Sequence, residues 1–197
     1  MDIKEFFKKL DKVEKKEEIE ELFNKLNIEP KYQKDKKKYP DLKFNINTDE
    51  IKELKDKGYI TNNNLNVSLS EKNLTTLEKL LYALIWKNGE LSRIKPIVSG
   101  ICGEETSTGK VFNQFGKHLC NNEELIIDQH VLRAYIYKGK DKIIEKIDDK
   151  VFDEYSNEYK KWINNNPLFK ENKDLMDDIL FAIGKKIKPE KKSKGKK

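Results

Sequence analysis

The sequence predicts a mainly α-helical, compact chain with one small β-hairpin at about residues 58–70. Two observations carry that reading. Apolar residues recur at spacings of three and four along most of the chain, while strict alternation is confined to Leu65, Val67 and Leu69. Leu, Ile, Val and Phe make up 54 of the 197 residues, so a core can form although 39% of the chain is charged. Disorder is expected when those four types fall below about 20%.

Residues 2–27 read as one or two helices, with Phe6, Phe7, Leu10 and Val13 on one stripe and Ile19, Leu22, Phe23 and Leu26 on the next. Pro30, Pro40 and the run Lys34-Asp35-Lys36-Lys37-Lys38 mark residues 29–48 as a connection. Thr48 is expected to cap a short helix with Ile51 and Leu54 inward. Tyr59-Ile60-Thr61, the turn Asn62-Asn63-Asn64 and Leu65–Ser70 make the hairpin. Thr75 or Thr76 opens the most regular helix. Its Leu77, Leu80, Leu81, Leu84 and Ile85 have the pattern of a buried core element, stopped by Asn88-Gly89.

Further helices are expected at Ser92–Ser99 and at 109–120, the latter with Val111, Phe112, Phe115 and Leu119 inward. Asp128 stands at an N-cap position before Val131, Leu132, Tyr135 and Ile136, and two more helices follow at about 148–164 and 173–184. The expected organisation is 1–72 for the N-terminal helices, linker and hairpin, 73–184 for a helical core, and 185–197 for a disordered lysine-rich tail.

The formal net charge is +6, but from Lys185 onward there are eight lysines against Glu190 alone, so residues 1–184 sum to −1. The basic character belongs to the tail, which gives weak, salt-sensitive attraction to polyanions or simply aids solubility. The longest unbroken apolar run, Leu80–Trp86, is seven residues, too short to cross a membrane. Met1-Asp2-Ile3-Lys4 lacks an apolar signal core, and two cysteines, Cys102 and Cys120, do not make a disulfide framework. A cytoplasmic protein is expected.

His118 and His130 are the only histidines and no zinc-binding spacing accompanies them, so neither metal nor cofactor is expected. Gly103–Lys110 has the outline of a phosphate-binding loop. However, its first glycine lies one place too early, Val111 stands where magnesium needs Ser or Thr, and Glu104 and Glu105 would face the phosphates.

A different pattern covers about 25 residues in the middle of the chain. Gly109-Lys110-Val111-Phe112-Asn113-Gln114-Phe115-Gly116-Lys117-His118-Leu119 is followed by Leu125-Ile126-Ile127-Asp128-Gln129-His130-Val131-Leu132-Arg133. This resembles the catalytic segment of helix-hairpin-helix DNA glycosylases, most of all the archaeal type of 8-oxoguanine DNA glycosylase/AP lyase. The resemblance implies a compact helical glycosylase-type fold and duplex DNA with a modified base as partner. It implies Lys110 and Asp128, eighteen positions apart, as the catalytic pair. Gly109, Lys117, His130, Arg133 and Trp86 are the corresponding candidates for contact with DNA. The family's glycines two and four places before the lysine are Thr108 and Thr106 here, which removes two close approaches of backbone N–H to phosphate.

The residue types suit the chemistry. A lysine amine can attack C1′ of a damaged nucleotide, expel the base and form an imine that undergoes β-elimination. An ordinary lysine costs roughly 4–5 kcal/mol to deprotonate at pH 7, so burial or transfer of the proton to Asp128 has to supply that energy. The target base must be flipped out, with Trp86, Tyr82 or Tyr135 available to stack on it. Plain structural roles stand beside these: Asp128 as an N-cap, Lys110 as a solvated lysine, His130 and Arg133 as a surface pair one turn apart, His118 as a satisfied boundary residue. The alternative function is a non-catalytic nucleic-acid-binding or regulatory protein on a degenerate glycosylase-like fold, using residues 49–70 and the basic tail.

Overall fold

The computed structural model describes residues 1–35, 37–39, 42–66, 74–140 and 142–189. In chain order they form α1 (Ile3–Leu10), α2 (Lys16–Lys25), a 3-10 turn at Pro30–Tyr32, α3 (Thr48–Asp56), β1 (Ile60–Thr61) and β2 (Asn64–Leu65). There follow α4 (Thr76–Lys87), a 3-10 turn at Leu91–Arg93, α5 (Ile94–Ile101), α6 (Lys110–Cys120), α7 (Gln129–Lys140), α8 (Asp149–Asn165), α9 (Pro167–Glu171) and α10 (Lys173–Lys186). The chain is thus mainly helical, with one antiparallel hairpin pairing Ile60 with Leu65 and Thr61 with Asn64. Its turn is Asn62-Asn63, both at positive φ (49° and 63°), as a two-residue hairpin loop requires.

The described residues fall into two compact units, 1–42 with 127–197 and 43–126. This differs from the division expected at residue 72. The physical reason lies in α1 and α2, whose buried Phe6, Phe7, Leu10, Ile19 and Leu22 join the unit of α7–α10 and not that of the hairpin. Asp11, just past α1, accepts from Trp162 Nε1 of α8 (3.4 Å) and pairs with Lys138 of α7 (3.0 Å). Tyr135, Tyr159, Trp162 and Phe169 form an aromatic cluster with ring centroids 5.2–6.3 Å apart.

In this unit α7 and α10 cross at Gly184, where an added Cβ would lie 1.8 Å from the His130 carbonyl oxygen. Residues 185 and 186, expected in the tail, complete α10, and 190–197 lie outside the described residues.

The second unit is built on Ile51, Ile60, Val98, Ile101 and Leu119, with Ile46, Leu65, Ile94, Ile97 and Phe115 packed around them. Here α5 and α6 press together at two glycines: a Cβ on Gly100 would meet the Asn113 carbonyl oxygen at 2.1 Å, and one on Gly116 the Ile97 carbonyl oxygen at 2.1 Å.

Three local expectations change. Asn47, not Thr48, caps α3, through a capping box with Glu50 (3.0 and 2.8 Å), and Leu54 is exposed while Ile51 is buried. The inner face of α6 carries Asn113, Gln114 and Gly116 beside Leu119, with Val111, Phe112 and Phe115 only half-buried, because close backbone contact leaves no room for large side chains there. Most notably α4 is not a core helix: Leu77, Leu80, Leu81 and Leu84 are 49–67% exposed. Their spacing defines an apolar face but does not say what covers it.

The glycines give a two-signed test. Gly116→Ala forces backbone apart and is expected to destabilise by more than about 2 kcal/mol. Gly139→Ala on α7, with nothing within 4 Å of its Cβ, is expected to stabilise by about 0.5 kcal/mol. Urea denaturation of the two variants reads both; equal effects would exclude helix contact as the cause.

Candidate functional site

Lys110 is the first residue of α6 and follows Gly109, whose φ of 71° lies in the left-handed region. A side chain on Gly109 would also meet the Pro96 ring tightly, at 3.0 Å, so glycine is favoured on both counts. Lys110 is half-buried.

The loop of residues 102–109 between α5 and α6 is pinned by its own acids. Glu104 Oε2 accepts from Asn63 Nδ2 (2.9 Å) and Ser99 Oγ (3.2 Å), and the Glu104 carbonyl accepts from Asn113 Nδ2 (2.8 Å). Asn113 also donates to the Pro96 carbonyl (3.3 Å), which ties α6 to α5. Glu105 pairs with Lys117, one of the expected DNA contacts. His118 Nδ1 lies 2.7 Å from the Glu124 carbonyl oxygen, the satisfied boundary role expected for it.

Asp128 belongs to the other unit, at the start of α7. Its Oδ1 accepts from the backbone N–H groups of His130 (2.7 Å) and Val131 (2.8 Å), which is an N-cap. Both bonds use the same carboxylate oxygen.

His130 and Arg133 are brought together, at 3.0 Å between Nδ1 and Nη1. They do not form a surface pair. Arg133 is fully buried and donates to the carbonyls of Ile144 (2.8 Å), Glu145 (3.2 Å) and Gly184 (3.3 Å). Its guanidinium is spent on backbone oxygens, so a phosphate contact at this residue has no structural basis. Because arginine can only donate, His130 Nδ1 accepts and the imidazole is neutral. Burial holds the His130 pKa below its usual value, opposed by Asp128 and reinforced by Arg133 and Lys188.

Sequence reasoning missed Asp177 and the residues around it. Asp177 sits among the core positions Met176, Ile179, Leu180 and Ile183 of α10, paired with Lys34, which also reaches Asp178 at 3.2 Å. Burial pushes the Asp177 carboxyl up to about 6; Lys34 opposes this, while Asp128 and Asp178 add to it. One of its oxygens, Oδ1, is buried without a hydrogen-bond partner. Tyr159 is also held well above its usual pKa, by burial first and then by Asp177 and Asp128. The signal available in the sequence was an acid inside the apolar stripe of α10.

Trp86 is exposed at the end of α4, Tyr82 is half-buried, and Tyr135 is engaged in the aromatic cluster. Among the described residues no helix is long and apolar enough to cross a membrane, and no group of three or more metal-ligating side chains occurs.

Two outcomes follow from the buried charges. Arg133→Lys gathers its donors on one nitrogen and cannot reach acceptors now served by Nε, Nη1 and Nη2, so it is expected to cost about 2 kcal/mol or more, without changing the salt dependence of any DNA binding. A weakened salt slope with intact stability would return Arg133 to the surface role.

For Asp177 the folded pKa lies above the usual 3.8. Its ionised form therefore opposes folding above pH 6, by at most about 3 kcal/mol, and the penalty disappears as pH falls from about 6 to about 4. The melting temperature of Asp177→Asn minus that of the native chain should be most positive above pH 6.5 and shrink on acidification. A difference that grows instead would show the carboxyl to be depressed.

No family model, curated protein or solved structure matches the chain.

Proposed function

We propose that the chain is a DNA base-excision enzyme, a glycosylase with AP lyase activity that works through a lysine imine. The observation that carries this is the order of three features. A left-handed glycine, Gly109, precedes Lys110 at the opening of α6, and Asp128 caps the next helix, α7. That is the arrangement the resemblance implies for nucleophile and acid–base partner.

In this reading the Lys110 amine attacks C1′ of an extruded nucleotide and the glycosidic bond breaks to release the base. Asp128 accepts the amine's proton or offsets the developing positive charge on the sugar. Breaking of the C1′–O4′ bond, with O4′ taking up a proton, opens the sugar ring and yields the imine, and proton loss from C2′ then expels the 3′ phosphate. The cap bonds to one oxygen of Asp128 fix the carboxylate's direction before substrate arrives.

The test is borohydride trapping on duplexes containing abasic or oxidised-purine sites. A covalent adduct is expected with the native chain and none with Lys110→Gln. Asp128→Asn keeps a good N-cap, so it should melt as the native chain does while losing at least about 100-fold in turnover. Absence of any adduct, or an adduct that survives Lys110→Gln, removes the lysine mechanism.

One observation favours a second reading, a nucleic-acid-binding protein without catalysis. The α5–α6 loop carries Glu104 and Glu105 and lacks the glycines of a phosphate-gripping hairpin. That reading expects binding untouched by changes at Lys110 and Asp128 and lost on truncation after Gly184.

A further inference from the structure

The helix α4 presents an exposed apolar stripe. Leu77, Leu80, Leu81 and Leu84 are 64, 67, 49 and 59% exposed, and no residue of α4 is buried. At 100° per residue they occupy an arc of about 100°, the width of a helix-packing seam. The helix is nonetheless held formed. Thr75 Oγ1 accepts from the Glu78 N–H (3.3 Å) while Glu78 Oε2 accepts from the Thr75 N–H (2.7 Å), closing a capping box. A twelve-residue helix is marginal in water without packing, so a preformed, leucine-faced one is suited to a partner.

We infer that this face is an interface between two copies of the chain, with the two α4 helices antiparallel about a two-fold axis between residues 80 and 81. That register sets Leu77 against the partner's Leu84 and Leu80 against the partner's Leu81, so the stripe is complementary to itself. The charges of α4 agree. Glu78 and Lys87, which flank the stripe, fall opposite the partner's Ala83 and Leu74, and no like charges meet.

The area sets the strength. The four leucines offer roughly 450 Å² per copy, so a pair with flanking Leu74 and Ile85 removes about 1,000 Å², the lower limit for a specific association. The dimer is therefore weak and concentration-dependent, with a Kd in the micromolar range. A lipid surface fits less well. A helix lying on a membrane carries Lys and Arg along its polar face, whereas the face of α4 opposite the leucines holds Tyr82 and Trp86 with Lys79 alone.

Sedimentation velocity of the full chain from about 1 to about 200 μM tests this. Reversible dimerisation is expected, unchanged in about 0.5 M NaCl because no ion pair contributes. Leu80→Glu and Leu81→Glu, each placing two charges at the two-fold, should each raise the Kd about tenfold or more. Lys79→Glu on the opposite face should leave it as it is. The substituted positions are exposed, so helicity by circular dichroism at the lowest concentration should match the native chain. A monomer throughout the range, a dimer indifferent to both leucine changes, or a monomer that binds phosphatidylcholine–phosphatidylserine vesicles through these leucines would each overturn the inference.

Discussion

Nothing larger than a hydrogen atom fits at residue 184, and the surroundings of Asp128 depend on that. With glycine there, α10 comes close enough to the first turn of α7 that a Cβ would overlap the His130 carbonyl oxygen. The same approach puts the Gly184 carbonyl 3.3 Å from Arg133 and the Phe181 ring edge-on to His130 at 5.0 Å. Arg133 then closes the cage by reaching the carbonyls of Ile144 and Glu145 beyond the end of α7. The N-cap at Asp128 is thus held by a helix crossing as well as by its own two hydrogen bonds. The other unit uses the same device twice, at Gly100 and Gly116, to seat α6 on α5.

Two buried charges in the first unit are treated oppositely, and the difference is one of satisfaction. Arg133 loses water but gains three carbonyl acceptors and a ring nitrogen, so burial lowers its pKa while the charge is kept. Asp177 has Lys34 for one oxygen and nothing for the other, with Asp128 and Asp178 repelling it. Leaving an acceptor unmatched costs roughly 1–3 kcal/mol, which a fold selected only for stability would remove. Perturbed carboxyls concentrate where chemistry is done. Asp128 is one of the charges that raise Asp177, which links this buried carboxyl to the start of α7.

What the sequence made legible, and what it hid, follows from the range of each signal. Helix periodicity and caps are local, so α1, α2, α6, α7, α8 and α10 fall close to where their stripes put them, and Asp128 caps as its residue type suggests. Local signals cannot say what covers a face. Leu77, Leu80, Leu81 and Leu84 have the spacing of a core helix and lie exposed, whereas Arg133, a surface residue by type, is buried by carbonyls eleven and fifty-one residues away. The inner face of α6 was misread for a related reason. Glycine and asparagine look like weak points in an apolar pattern, yet Gly116 and Asn113 are what let two backbones meet. Asp177 was lost within an apolar stripe, where pattern reading discounts an acid.

The acids of the α5–α6 loop bear directly on how a lysine could serve there. A lysine that neutralises a phosphate keeps its proton, and one that attacks C1′ must give it up, so the two roles compete for one side chain. Glu104 is fixed by Asn63 and Ser99, and Glu105 engages Lys117, so two acids held in place and a lysine already paired suit this loop poorly to collecting phosphate. On the proposed reading that favours the nucleophilic role for Lys110 and leaves the attraction of DNA to be supplied elsewhere. Residues 1–184 carry a formal charge of −1 and cannot supply it in bulk. Each phosphate contact contributes about 0.9 to the salt slope, and the lysines after residue 184 could supply several such contacts without any bearing on sequence or lesion. Selectivity would then rest on extrusion of a weakly paired base, which costs least at a damaged site, with the tail holding the duplex near.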